Sequence, residues 1–168
     1  WIVEESITVD IEDRKVKITG RAAVTVDRAA EEVWNWVADP ANLPLWAKDV
    51  DDSGVWLDDG EPTLGSRYRI DYNYGRKTNE IVFEVVRSEP GKSFAADTVT
   101  GKYPILVEYE FEETSDGAST ELKIIMNARS DSVFTAVLFI LTGWFAKSFM
   151  NRRLANELEN IKNELESN

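Results

Sequence analysis

The sequence predicts an α+β fold: a curved antiparallel sheet of about seven strands around one long C-terminal helix, with two short helices closing one end. Three observations carry this. From residue 55 to residue 126, runs of alternating apolar and polar residues are joined by short turns, the pattern of an antiparallel meander with one covered and one wet face. Early in the chain a helical stretch is broken twice by proline, at Asp39-Pro40 and Leu43-Pro44. Residues 133–166 then hold one continuous helical pattern, the only segment long enough to cover the sheet.

Residues 2–13 alternate weakly (Ile2, Ile7, Val9, Ile11), so residues 1–14 are expected to be an N-terminal extension or edge strand, with the domain itself at 15–168. Residues 15–26 make a better strand. Gly20 interrupts it as an expected bulge between Val16, Ile18 and Ala22, Val24, Val26. Asp27 is the expected N-cap of the first helix, ahead of Glu31 and Glu32, which sit where the helix dipole favours carboxylates. That helix should run to about Ala38 with Val33, Trp36 and Val37 on one stripe, and a short second helix should follow at 41–47. The stretch VWNWVADPANLPLW puts three tryptophans around the two breaks. Two breaks let a short segment turn a corner, and the indoles fill the gap left there.

From residue 50 the period changes to two. Val55 and Leu57 alternate with Trp56 and Asp58, while Tyr68, Ile70, Tyr72 and Tyr74 oppose Arg67, Arg69, Asp71 and Asn73. Ile81, Phe83 and Val85 alternate with Glu80 and Glu84 up to the turn Glu89-Pro90-Gly91. A polar-leaning strand at 93–100 follows. Tyr103, Ile105, Val107, Tyr109 and Phe111 then oppose Glu108, Glu110 and Glu112, and beyond Ser115-Asp116-Gly117 the residues Leu122, Ile124 and Met126 mirror that face. Ser130-Asp131-Ser132 should cap the last helix, whose tail carries Leu154, Leu158, Ile161 and Leu165 as an amphipathic stripe.

The first half of that helix, VFTAVLFILTGWFA, is apolar all round. It would span roughly 21 Å, short of the ~30 Å hydrocarbon core of a bilayer. It therefore reads as a segment gripped by the sheet on one side and by the opening helices or a ligand on the other. The alternative leaves Phe139, Leu141 or Trp144 protruding to dock on a membrane or a partner, with Lys147, Arg152 and Arg153 behind them.

The chain has 168 residues and a formal net charge of −12, which argues against a nucleic-acid surface. It has no cysteine and no histidine, so thiolate chemistry, disulfides and the commonest general base and transition-metal ligand are all ruled out. No phosphate loop, dinucleotide fingerprint, zincin motif or nucleophile elbow occurs. Asp49-x-Asp51-x-Ser53-Gly54 matches the first half of a calcium loop, but the twelfth position is Gly60, so an acidic turn is the better reading. No metal or cofactor is expected. A proton shuttle would fall to Asp97, Asp71, a tyrosine or Arg69, and no two titratable groups share an apolar face.

The segments TVDRAAEEVWNWVADPANLPLWAKDV, SRYRIDYNY after Gly65, EPGKSF, SDGASTELKI and RRLANELENIKNELE together resemble the START-like helix-grip superfamily (SRPBCC proteins), in its polyketide cyclase/dehydrase and lipid-transport branch. The resemblance covers about residues 21–166. It implies a cavity between the curved sheet and the terminal helix, entered near the helix pair. Members of this family include lipid carriers, hydrophobic-ligand binders, cyclases, dehydratases and chaperone activators.

The expected function is binding or transport of a hydrophobic small molecule: a lipid, a quinone or a polyketide-like compound. The expected ligand-binding residues are Trp36, Trp46, Tyr72, Phe83, Tyr103, Val107, Tyr109, Ile124, Leu138, Leu141 and Phe145. Tyrosine hydroxyls would orient a ligand held by burial of its apolar surface. Two alternatives stay open: a cyclase or dehydratase acting on an aromatic precursor, and a docking module, with peripheral membrane contact, whose cavity is filled by its own side chains. With no catalytic constellation, a non-enzyme is the preferred expectation. The expected location is cytoplasmic. The oligomeric state is not legible, and the start at Trp1 rather than Met suggests that the chain has been processed or cut from something longer.

Overall fold

The computed structural model describes residues 16–51, 54–58, 60–74, 76–100, 104–115, 117–130 and 133–167, with backbone alone at 16–17, 74, 130 and 133–147. The elements run β1 (Val16–Val26), α1 (Ala30–Ala38), a 3-10 turn (Pro40–Asn42), α2 (Leu43–Trp46), β2 (Val55–Trp56), β3 (Arg67–Tyr74), β4 (Lys77–Glu89), β5 (Ser93–Thr100), β6 (Ile105–Glu113), β7 (Thr120–Ser130) and α3 (Val133–Ser167). Among the described residues the strands form one seven-stranded antiparallel sheet in the order β1-β7-β6-β5-β4-β3-β2. This is the α+β arrangement read from the alternation. Register shifts between Val82 and Phe83 and between Val85 and Arg87 mark bulges in β4, which bend a strand and increase its twist.

One face of the sheet is covered. The stripe on α3 read from the sequence lies against it, with Leu154, Leu158 and Ile161 at most 1% exposed and Leu165 at 6%. Each such side chain is worth roughly 1.5–3 kcal/mol of burial. Two polar contacts fix the helix alongside β1: the Arg21 N–H donates to Asn151 Oδ1 (3.0 Å), and the Asp27 N–H donates to Glu166 Oε1 (2.9 Å). Strand and helix therefore run in the same direction, side by side. Among the described residues no helix is long and apolar enough to cross a membrane.

Several local expectations are corrected. Gly20 is not a bulge, because β1 pairs with β7 without interruption from Val16 to Val26. It is where α3 comes closest: a Cβ there would stand 2.7 Å from Met150 Cε and 3.0 Å from Leu154 Cδ1. Asp27 does not cap α1. The N-cap is Ala29, with no side-chain cap, while the Asp27 carboxylate accepts from Ser119 Oγ (2.9 Å). The expected helix at 41–47 is a 3-10 turn followed by a single α-helical turn, with Asp39 accepting the Ala41 N–H at the break. The buried stripe of α1 is Ala30, Val33, Trp34, Val37 and Ala38. At about 100° per residue Trp36 falls on the flank of that stripe, and Trp34 takes the inward position. Residues 1–14 and 131–132 lie outside the described residues.

Candidate functional site

The register decides which side chains share the inner face. It sets Tyr109 between Phe94 and Ile124, Val107 between Ala96 and Met126, and Phe83 between Thr98 and Tyr68. The rings meet edge to face, stacked or, for Phe94 and Tyr109, tilted at 33°. Tyr68 and Phe83 stack at 5.2 Å, Trp56 stands edge-on to Tyr68 at 5.5 Å, and Trp46 stands edge-on to Tyr109 at 6.3 Å. Trp34 meets Phe94 edge-on at 6.3 Å, and Phe94 meets Tyr109 at 6.2 Å. Aromatic pairs of this kind add about 0.5–1.5 kcal/mol each beyond the area they bury. The two proline breaks thus serve to lower Trp46 onto this wall, against Tyr109.

Of the expected ligand-binding residues, the structure brings together Trp46, Phe83, Val107, Tyr109 and Ile124 on the inner face, all buried, with Tyr72 half-buried at its edge. Trp36 stands apart from that group. Its flank position turns it to an open outer cleft of about 910 Å3 between α1 and the end of α3, shared with Glu31, Glu32, Glu164 and Leu165. Tyr103, and the side chains of Leu138, Leu141 and Phe145, lie outside the described residues, as do those of Phe139 and Trp144.

Packing on the inner face is graded. Leu122, Ile124, Val85 and Phe94, in the part of the sheet covered by α1 and the tail of α3, are at most 2% exposed. Toward the other end of the same strands Met126, Ala128, Ile105, Thr98, Asn79 and Tyr72 are only half-buried.

Sequence reasoning missed a polar cluster at the edge of this face. Arg153 on α3 donates through Nε to Glu157 Oε1 (2.9 Å), through Nη1 to the Tyr72 hydroxyl (2.9 Å) and through Nη2 to the Lys48 carbonyl (2.6 Å). Its guanidinium lies 5.7 Å from the centre of the Tyr72 ring, and Nη1 lies 3.5 Å from Asp49 Oδ2. Glu157 also accepts the Lys48 N–H (3.1 Å). One ion pair thus ties α3, β3 and the segment after α2 together, and Asp49 in that segment adopts φ +68°, a left-handed conformation uncommon for a residue with a side chain. Burial pushes the Glu157 carboxyl above its ordinary value, and Arg153 pulls it part of the way back. Burial opposes the Arg153 charge, yet Glu157 and the hydrogen bonds to Glu157 and Tyr72 outweigh it and hold the guanidinium above its ordinary value. Burial, with Tyr68 and Glu157 adding to it, pushes the Tyr109 phenol well up, so that hydroxyl stays neutral. The signal available in the sequence was Arg-x-x-x-Glu at helical spacing; its partners are far away along the chain.

Of the residues weighed as proton shuttles, Asp97, Asp71 and Arg69 fall on the outer face, whereas the tyrosines Tyr68, Tyr72 and Tyr109 fall on the inner one. Asp97 pairs with Arg129, and Arg69 lies 3.5 Å from Glu80. Asn127 is on the outer face as well, accepting from Thr19 Oγ1 (2.7 Å) and donating to Glu108 Oε2 (3.2 Å). The half calcium loop is engaged otherwise: Asp49 faces Arg153, and Asp51 Oδ1 accepts from Asn73 Nδ2 (2.6 Å).

Solved structures share this fold at low identity. A protein of unknown function from Staphylococcus aureus superposes with a TM-score of 0.70 at 14% identity, covering 91% of this chain and 96% of that one. A START superfamily protein from Mycobacterium smegmatis gives 0.64 at 18% identity, covering 88% and 98%. A norcoclaurine synthase point mutant from Thalictrum flavum, solved with a transition-state analogue, gives 0.62 at 13% identity, covering 91% and 96%. At such identities the likeness establishes the fold alone, the START-like helix grip. No curated protein matches the sequence. The family model described as polyketide cyclase/dehydrase and lipid transport matches residues 3–166, almost the whole chain, and the protein belongs to that family.

Proposed function

We propose that the protein binds or carries a hydrophobic small molecule (a lipid, a quinone or a polyketide-like compound) between the inner face of the sheet and the first half of α3. The observation that carries this reading is the gradient of burial on the inner face. α1 and the tail of α3 seal one end, whereas Met126, Ile105, Thr98 and Tyr72 at the other end keep partial exposure. Because α3 runs alongside β1 with Met150 at Gly20, the all-apolar residues 133–146 extend toward that looser end. A ligand there would be held by removing its apolar surface from water, at about 25 cal/mol per Å2. Polar groups at the rim, Thr98 and the Tyr72 hydroxyl among them, would set its orientation. Membership of a family described as polyketide cyclase/dehydrase and lipid transport supports the same class of ligand.

Native mass spectrometry of the protein purified from its source tests this directly. The expected result is a co-purifying apolar molecule, lost when Met126→Trp fills the looser end while the melting temperature is kept. Bare protein, or retention of the molecule by Met126→Trp, would refute the location.

A second reading, an enzyme acting on an aromatic precursor, is favoured by one observation: the Glu157 carboxyl raised by burial, one guanidinium away from the Tyr72 hydroxyl. For that reading Glu157→Gln should abolish turnover of the co-purified compound and leave its affinity intact.

A further inference from the structure

The two buried indoles of the inner face are treated differently. Trp34 Nε1 donates to the Ser93 carbonyl at 3.0 Å, whereas Trp46 Nε1 is buried and, among the described residues, meets no acceptor. A buried donor left unmade is unfavourable, and native structures rarely tolerate one without a reason. Trp46 cannot readily swing to find a partner, because its ring is buried against Tyr109 and its backbone is held on each side. The Trp46 carbonyl accepts from Asn160 Nδ2 (3.2 Å), the Ala47 N–H donates to the Leu43 carbonyl (2.8 Å), and the Lys48 N–H donates to Glu157. The ring itself stands edge-on against Tyr109. This is a fixed, desolvated donor on the sealed side of the aromatic wall; Tyr109 follows Val107 on the same face, and Val107 neighbours Met126, so a ligand seated at the looser end reaches the indole by extending past Val107.

We propose that the Trp46 indole N–H donates to an oxygen acceptor on the bound molecule, so that the ligand is an apolar body carrying a neutral carbonyl rather than a plain hydrocarbon, an amine or a carboxylate. The proposal rests on the binding reading given above and adds the ligand's polar requirement. An amine would bring a second donor to a donor. A carboxylate would enter the field of Glu157 and Asp49, against the single Arg153 charge that both already engage. A neutral carbonyl meets neither objection.

The test uses 2-acetylnaphthalene and 2-ethylnaphthalene, which are nearly the same shape and differ at the carbonyl. Binding to the whole chain is followed by tryptophan fluorescence and by the 15N–1H indole resonance of Trp46, assigned from its disappearance in Trp46→Phe. The ketone should bind wild type roughly 3- to 10-fold more tightly than Trp46→Phe, the range of one neutral hydrogen bond. Trp46→Phe also trims the apolar wall, so the hydrocarbon should lose some affinity but clearly less than the ketone, and only the ketone should move the indole resonance downfield. Equal losses for the two probes, or a resonance that ketone binding leaves in place, overturn the donor role while the pocket stands. If neither probe binds wild type, the pocket reading fails, and the donor role with it. The resonance is read in the wild-type protein, so the outcome does not depend on how well Trp46→Phe folds.

Discussion

Replacing Arg153 by methionine keeps the aliphatic stem and removes the charge that Glu157 was buried against. The Glu157 side chain is 5% exposed and that of Arg153 is 26% exposed. Breaking a buried pair from one side costs about 3–5 kcal/mol, and the partial exposure of Arg153 places this case near 3. For a domain of this size each kcal/mol is worth about 2–4 °C, so Arg153→Met should melt about 6–12 °C below wild type at pH 7. The sign of the pH dependence follows from Glu157. Its folded value already lies above the ordinary 4.5, and loss of the guanidinium raises it further. A carboxyl raised in the folded state keeps its proton where the unfolded chain has lost it. Its contribution to stability is therefore complete below 4.5 and is lost as the pH climbs through the folded value. The deficit of Arg153→Met should accordingly shrink between pH 7 and pH 5, and Glu157→Gln added to it should recover at least half. Near-UV circular dichroism melts across that range make the measurement. A deficit below about 2 °C, the scale of an exposed pair, or one that ignores pH and is not relieved by Glu157→Gln, would refute the reasoning.

Other substitutions probe the packing. Gly20→Val should cost about 1–3 kcal/mol in urea unfolding by pushing Met150 and Leu154 off β1, and Met150→Ala in the same chain should restore part of it. Gly54→Ala has no such escape, because its Cβ would lie 1.7 Å from the Pro40 backbone carbonyl oxygen; a loss at or above ~3 kcal/mol is expected, read as a lower denaturation midpoint. Leu158→Ala, at a fully buried position of the α3 stripe, should cost about 2–5 kcal/mol without changing the denaturant slope.

The strands and the tail of α3 were legible because their signals are local: a period of two with short turns, and a stripe at helical spacing. The errors share one cause, which is that tertiary contacts overrode local meaning. Gly20 looked like a bulge, yet it is an allowance for a helix more than a hundred residues later in the chain. Asp27 had the chemistry of a cap, but the end of α3 and Ser119 claim its polar groups. Trp36 and Trp34 are both plausible on a short helix, and only the direction from which the sheet approaches selects Trp34. At the candidate site the aromatic wall followed from alternation, since parity fixes the face. The Arg153 cluster did not, because Tyr72 and the Lys48 carbonyl become its neighbours only once the sheet and α3 have met.

The placing of β1 beside β7 bears on how the chain reaches this state. The Thr19–Asn127 bond joins residues 108 apart in sequence, whereas β3 through β7 are linked by successive hairpins. Loop-closure entropy makes the distant pairing the costly one, so the order of assembly should run from the meander outward, with the first strand docking late. A ribosome-bound chain that has not yet emerged beyond residue 130 would then hold its opening strand without a full partner. Pulsed hydrogen exchange during refolding should show the amides of β4 to β6 protected before those of β1.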